Sequence, residues 1–316
     1  MSRGKQIVAV LAGVIVALAA GLVVSTWQPD RPVEELAARW APPPSVFVDV
    51  AGMRVHLRDE GPRDDPQPII LLHGTSSSLH TWDGWTAALR QQRRVIRFDL
   101  PGFGLTGPDP DGNYSVEHYV RFMTAMLDHL GIEHCVLAGN SFGGWIAWDT
   151  ALAAPGRIDR LILVDSAGYP LRSVSAPLAF RLAQVPVLNQ LTKVTLPRSL
   201  IESSLRNVYG DPTRVTPELV DRYFDLATRA GNREALVQRF RQAQPGTDAN
   251  RITALKVPTL ILWGGRDRLI PPEHARWFHR DIAGSRLVMF DELGHVPHEE
   301  DPARTVAAVQ AFLALP

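Results

Sequence analysis

The chain has 316 residues, which is enough for one large α/β domain with an insertion or for two smaller domains. Hydrophobic residues make up 45% and charged residues 21% of the sequence, a composition typical of a globular protein with a sizeable core. The formal net charge is +0 at pH 7, so the sequence gives no electrostatic argument for nucleic-acid binding, and we expect no such partner. The single cysteine, Cys135, excludes an internal disulfide.

The N-terminal segment is uniformly apolar. Residues 7–24 are all apolar or glycine, and Arg3 and Lys5 precede them. A helix of this length spans about 27 Å, close to the thickness of a bilayer's hydrocarbon core. We therefore interpret residues 1–27 as a single-helix membrane anchor, with the rest of the chain outside the cytoplasm. The alternative is a signal peptide whose cleavage releases a secreted protein.

Residues 28–45 contain five prolines and are predicted to form a linker. Strand patterns begin at residue 46. Residues 46–50 and 53–57 alternate in character around Ala51-Gly52, which predicts an antiparallel hairpin at a sheet edge. Continuous apolar runs bounded by turn residues follow, and such runs are typical of parallel strands covered on both faces. These runs are residues 69–72, 95–98, 136–138, 161–164, 260–263 and 287–290.

Helical patterns separate the apolar runs, and this alternation predicts a doubly wound, mostly parallel α/β sheet. The predicted helices are residues 82–91, 115–130, 143–153, 274–282 and 302–315. Between residues 165 and 257 the sequence contains helical patterns and no strand run. We therefore divide the globular part into a core, residues 46–167 and 254–316, and an inserted helical cap, residues 168–253.

Gly139-Asn140-Ser141-Phe142-Gly143 lies between a predicted strand and a predicted helix. In this Gly-x-Ser-x-Gly context a serine occupies a tight turn with its hydroxyl exposed, and the following helix directs N–H groups at the reacting atom. Ser141 is therefore the candidate nucleophile.

A serine hydroxyl needs a base to accept its proton and an acid to orient that base. Asp267 and His295 each follow a predicted strand, so both are expected at the carboxyl edge of the sheet, and the order Ser, Asp, His is typical of hydrolases. Asp165 is the alternative acid. His298 is the alternative base, although its polar neighbours favour a position at the surface or at a helix cap.

Two backbone N–H groups are needed to stabilise an oxyanion, and we assign them to Phe142 and Thr75. The loop and turn around them place His73, Gly74 and Asn140 beside the substrate, with His73 bracing the loop through hydrogen bonds. We predict no metal site and no cofactor.

Five short segments resemble the α/β-hydrolase superfamily, in the branch of capped esterases, epoxide-hydrolase-like enzymes and C–C hydrolases, over about residues 46–315. Ser141 differs from the aspartate of epoxide hydrolases and haloalkane dehalogenases, and the serine-rich loop after His73 differs from that typical of C–C hydrolases. The similarity fits bacterial lipases and esterases with a His-Gly-Thr loop best. The segments are Leu72-His73-Gly74-Thr75, Phe98-Asp99-Leu100-Pro101-Gly102-Phe103-Gly104, Gly139-Asn140-Ser141-Phe142-Gly143-Gly144, Gly264-Gly265-Arg266-Asp267 and Gly294-His295.

The resemblance implies a serine hydrolase that cleaves a small-molecule carboxylic ester, lipid-like esters included, through an acyl-enzyme on Ser141. Two alternatives remain open: a C–C bond hydrolase, amidase or perhydrolase with the same triad, and a non-catalytic, membrane-tethered binding protein. The apolar residues of the cap either line an acyl pocket or only bury the cap on the core. These residues are Leu178, Phe180, Leu182, Val185, Val187 and Leu188.

Overall fold

The computed structural model describes residues 3–186, 188–243 and 245–314. Its centre is one eight-stranded sheet with the order β1-β2-β4-β3-β5-β6-β7-β8. The β1–β2 and β2–β4 pairs are antiparallel, and every other neighbouring pair is parallel. The strands are β1 (Val46–Val50), β2 (Met53–Glu60), β3 (Ile69–Leu72), β4 (Val95–Phe98), β5 (Cys135–Asn140), β6 (Ile158–Val164), β7 (Thr259–Gly264) and β8 (Arg286–Phe290).

Helices cover both faces of this sheet, so the predicted doubly wound α/β fold is confirmed. Every residue of β3 is buried, and its side chains alternate between two cores. Ile70 and Leu72 belong to the larger core, and Ile69 and Leu71 to the smaller one on the opposite face. The core helices are α3 (Asp83–Leu89), α4 (Val116–His129), α5 (Phe142–Ala153), α11 (Glu273–Asp281), α12 (Pro297–Glu300) and α13 (Pro302–Leu313).

Between β6 and β7 the described residues form helices joined by loops, and none of them belongs to a strand of the sheet. A cavity lies between these helices and the carboxyl edge of the sheet. The inserted helices therefore cover the carboxyl edge of the sheet, where the sequence predicts the catalytic residues. The helices are α6 (Leu178–Gln184), α7 (Leu188–Thr192), α8 (Arg198–Val208), α9 (Pro217–Ala227) and α10 (Asn232–Gln242).

The structure corrects the prediction of a membrane anchor. The N-terminal segment forms helix α1 (Arg3–Ser25), while residues 1 and 2 lie outside the described part of the chain. No helix among the described residues combines the length and the apolarity needed to cross a bilayer. The membrane localisation predicted from residues 1–27, and the membrane as a partner, are therefore wrong.

The proline-rich segment 28–45 contains helix α2 (Val33–Trp40), which packs on the helices inserted after β6. Leu36 is fully buried, and the Arg31 guanidinium and the Trp40 indole N–H both donate to the Asp225 carboxylate of α9, at 2.7 and 2.9 Å. This segment is docked on the globular part, although its sequence predicted a linker.

Candidate active site

Ser141 occupies the turn between β5 and α5 with φ 56° and ψ −117°, a backbone conformation that costs free energy for a residue with a side chain. The flanking glycines make the turn sterically feasible. A Cβ on Gly139 would lie 2.2 Å from the carbonyl oxygen of Gly143, and one on Gly143 would lie 2.4 Å from that of Leu72. The turn presents Ser141 to the cavity.

Asp267 and His295 follow β7 and β8, and their side chains meet. His295 Nδ1 lies 2.6 Å from Asp267 Oδ2. The other carboxylate oxygen of Asp267 accepts the backbone N–H groups of Leu269 and Ile270, at 2.8 and 3.0 Å. The carboxylate is thus held from two sides, and it fixes the plane of the imidazole.

The backbone of His295 is also tied to the serine turn. Asn140 Nδ2 donates to the backbone carbonyl of His295 at 3.0 Å, and Ser141 and His295 both line the cavity. The structure therefore brings all three predicted triad residues to one edge of the sheet.

Asp165, the alternative acid, lies beside the pair. Ligand atoms of Asp165, Asp267 and His295 all lie within 4.8 Å of one another. Burial and the neighbouring Asp267 carboxylate raise the pKa of Asp165 well above its ordinary value, which favours the protonated form of this group. Asp267 is the carboxylate that bonds His295. The spacing would also suit a metal ion, but the bond between His295 and Asp267 occupies the atoms that would bind it.

The two predicted oxyanion donors both border the cavity. Among the described residues, no protein group accepts a hydrogen bond from the backbone N–H of Thr75 or of Phe142. Gly74 permits the loop after β3 to approach the Ser141 turn closely, because a Cβ on Gly74 would lie 2.8 Å from Asn140 Oδ1. The arrangement suits an anionic oxygen above Ser141.

His73 is not among the described residues that line the cavity. It is fully buried, its Nε2 accepts the Leu100 N–H at 2.9 Å, and its Nδ1 lies 2.8 Å from the Gly74 carbonyl. Since Nε2 is an acceptor, the ring proton is on Nδ1 and is donated to Gly74. The predicted bracing contacts are present, whereas the structure places His73 behind the loop, outside the described lining of the cavity.

The expected surface position of His298 is wrong. The side chain is fully buried, Nε2 lies 3.0 Å from the Thr81 hydroxyl, and the ring lies over Trp82 with a centroid distance of 4.0 Å. Burial lowers the pKa of His298, so this imidazole is neutral and acts in packing.

The cavity has a volume of about 580 Å³ and is mostly apolar. Of the apolar cap residues singled out in the sequence, Phe180 lines it and Val187 lies outside the described residues; the other four are not in its wall. Leu200 and Ile201 of α8 and Leu236 and Phe240 of α10 also line the cavity.

Two charged residues at this site belong to no sequence motif that would have predicted a functional role for them. Arg239 of α10 lines the cavity and is 4% exposed. Glu300 is buried, and its carboxylate accepts the backbone N–H groups of Gly210, Asp211 and Gly294 at 2.8–3.0 Å. Glu300 thereby connects the loop before His295 to the loop after α8.

A family profile described as alpha/beta hydrolase fold matches residues 67–302. The chain belongs to the α/β-hydrolase family. It is 31% identical over 272 residues to a 2-hydroxymuconate semialdehyde hydrolase from Pseudomonas putida, covering 84% of this chain and 92% of that one.

Two solved structures are similar to it. A meta-cleavage product hydrolase from Pseudomonas fluorescens is 27% identical with a TM-score of 0.73, covering 85% of this chain and 97% of its own. A membrane phospholipase A, described as a bacterial virulence factor, is 25% identical with a TM-score of 0.72, covering 98% and 96%.

Proposed function

We propose that this hydrolase acts by nucleophilic catalysis, with Ser141 attacking a substrate carbonyl, His295 accepting the hydroxyl proton and Asp267 holding the imidazole. The N–H groups of Thr75 and Phe142 stabilise the oxyanion. Water then releases the acyl group, again with His295 as the base. The observation that carries this proposal is the 2.6 Å contact between His295 and Asp267 at the rim of the cavity that Ser141 lines.

The comparisons favour carbon–carbon bond hydrolysis as the reaction, ahead of the ester hydrolysis expected from the sequence. The named relative, 31% identical, is a 2-hydroxymuconate semialdehyde hydrolase, and one structural neighbour is a meta-cleavage product hydrolase. In such a reaction the Oγ–carbon bond forms, and the carbon–carbon bond beside the ketone breaks. The leaving carbon takes the electron pair, which conjugation to a second carbonyl stabilises as an enolate, and it receives the proton from His295.

Ester hydrolysis is the second candidate, supported by the mostly apolar cavity and by similarity to the phospholipase A over 98% of this chain. An alkoxide leaving group needs no conjugated electron sink, so the same residues suffice. The first step is identical in the two reactions, and only the leaving atom differs.

The two candidates are separated by assaying purified protein with a conjugated dienol ketone, followed by its absorbance, and with a panel of p-nitrophenyl esters. We expect turnover of the dienol ketone to exceed that of every ester, and Ser141→Ala to abolish it. The matched control is Ser203→Ala, on the exposed face of α8, with unchanged turnover. Turnover of esters alone would transfer the assignment to the second candidate. Turnover unaffected by Ser141→Ala would refute the nucleophile.

A further inference from the structure

Arg239 places a positive charge in the wall of the cavity, and no carboxylate among the described residues neutralises it. The side chain is 4% exposed. Its guanidinium makes no hydrogen bond or ion pair with any described residue, and its Nε is fully enclosed. Burial lowers the pKa of Arg239 to about 10, so the group remains charged at neutral pH.

The surroundings of Arg239 are aromatic. Its Cζ lies 4.7 Å from the ring centroid of Phe142 and 4.2 Å from that of Phe240. Cation–π contact offsets part of the cost of burying the charge but satisfies none of the five N–H donors. Because Phe142 directly follows Ser141, the guanidinium lies close to the reacting centre.

A second arginine lines the cavity, and unlike Arg239 it pairs with a carboxylate. Arg233, on the same helix, donates to the Asp30 carboxylate at 2.6 Å and to the Gln28 carbonyl at 2.7 Å. No aspartate or glutamate is found among the described residues that line the cavity. The acidic residue of α10, Glu234, pairs with Lys193. No protein anion is therefore placed to serve Arg239.

A buried, unpaired charge is costly, and a protein that retains one commonly uses it for a ligand. We propose that Arg239 binds a carboxylate of the substrate, so that the site selects carbonyl compounds carrying a second, anionic group. The planar guanidinium matches a carboxylate through two parallel hydrogen bonds. This inference rests on the proposed function, because it assigns the substrate class of the same cavity.

A pair of substrates that differ only in charge tests it. p-Nitrophenyl hydrogen adipate carries a free carboxylate at its far end, and p-nitrophenyl methyl adipate masks that group. We expect wild type to prefer the acid in kcat/KM, and Arg239→Met to lower the ratio of acid to methyl ester by about 10- to 100-fold, the range for one or two hydrogen bonds to a charged group. Arg239→Lys keeps the positive charge but cannot form two parallel hydrogen bonds to a carboxylate. It should therefore retain part of the wild-type preference for the acid. Arg241→Met, which removes an exposed arginine of the same helix, should leave the ratio unchanged.

A second readout does not depend on turnover. Adipate should bind to the Ser141→Ala protein in calorimetry, dimethyl adipate should bind more weakly, and adding Arg239→Met should abolish the difference. A purely structural role for Arg239 predicts an equal loss for both substrates together with a lower unfolding temperature. That result, or adipate binding no better than its dimethyl ester, overturns the proposal. If neither ester is hydrolysed, the catalytic assignment is decided by the dienol-ketone assay, and the calorimetry still decides the role of Arg239.

Discussion

Replacement of Glu300 by glutamine is expected to weaken both the fold and the placement of His295. Oε2 of Glu300 accepts the N–H groups of Gly210 and Gly294 at 3.0 and 2.8 Å, and Oε1 accepts that of Asp211 at 2.8 Å. Glutamine has one accepting oxygen, so at least one of these donors loses its partner and the remaining bonds lose their charge.

The magnitude follows from these contacts. One lost hydrogen bond to a charged group costs about 2 kcal/mol, and the weakening of the other two costs about 0.5 kcal/mol each. The free energy of unfolding should therefore fall by about 3 kcal/mol. At roughly 2 °C per kcal/mol for a chain of this size, the unfolding midpoint should fall by roughly 6 °C. Because Gly294 precedes His295, a shift of this loop should lower kcat by about 10- to 100-fold.

Thermal unfolding and steady-state kinetics of Glu300→Gln measure both effects. Glu292→Gln is the control, because Glu292 lies on the same loop but is exposed, and its carboxylate pairs with the exposed Arg304. We expect it to behave as wild type. An unfolding midpoint and kcat at wild-type values in Glu300→Gln would refute the assignment of Glu300 as the support of the His295 loop.

Two further substitutions and one labelling experiment test the site and its surroundings. Asp267→Asn should reduce kcat by about 10⁴-fold at an unchanged fold, because the amide favours the wrong imidazole tautomer of His295; a small loss would argue against this pair. Burial and Asp267 raise the pKa of Asp165, so the folded protein holds this proton more tightly than the unfolded chain, which releases it above roughly pH 4. Wild-type stability should therefore fall as the pH rises, and the unfolding midpoint of Asp165→Asn relative to wild type should increase between about pH 5 and pH 8; parallel pH profiles would contradict this. Burial raises the pKa of the Cys135 thiol to about 12, so iodoacetamide at neutral pH should label the unfolded chain and spare the native protein, as mass spectrometry can show.

Local sequence signals predicted that Ser141, Asp267 and His295 lie at the same edge of the sheet. The glycines around Ser141 report a turn that excludes side chains, and Asp267 and His295 each directly follow an apolar strand. The carboxyl ends of parallel strands meet at one edge of the sheet. These signals were therefore enough to predict that three residues distant in the sequence lie close together.

Residues whose role depends on distant packing were not predictable in this way. Arg239 and Glu300 occur in polar stretches that resemble any solvated surface, and His298 is buried by contacts with Thr81 and Trp82 more than 200 positions earlier in the chain. Helix α2 was hidden by its prolines, because its binding site on Asp225 forms only in the folded protein.

The most direct test of the account is labelling with a fluorophosphonate, which forms a bond only with an activated serine. We predict one label per chain, located on Ser141 by peptide mass spectrometry, with loss of labelling in Ser141→Ala and slower labelling in Asp267→Asn. Absence of label, or a label on another residue of a folded protein, would contradict nucleophilic catalysis at this turn.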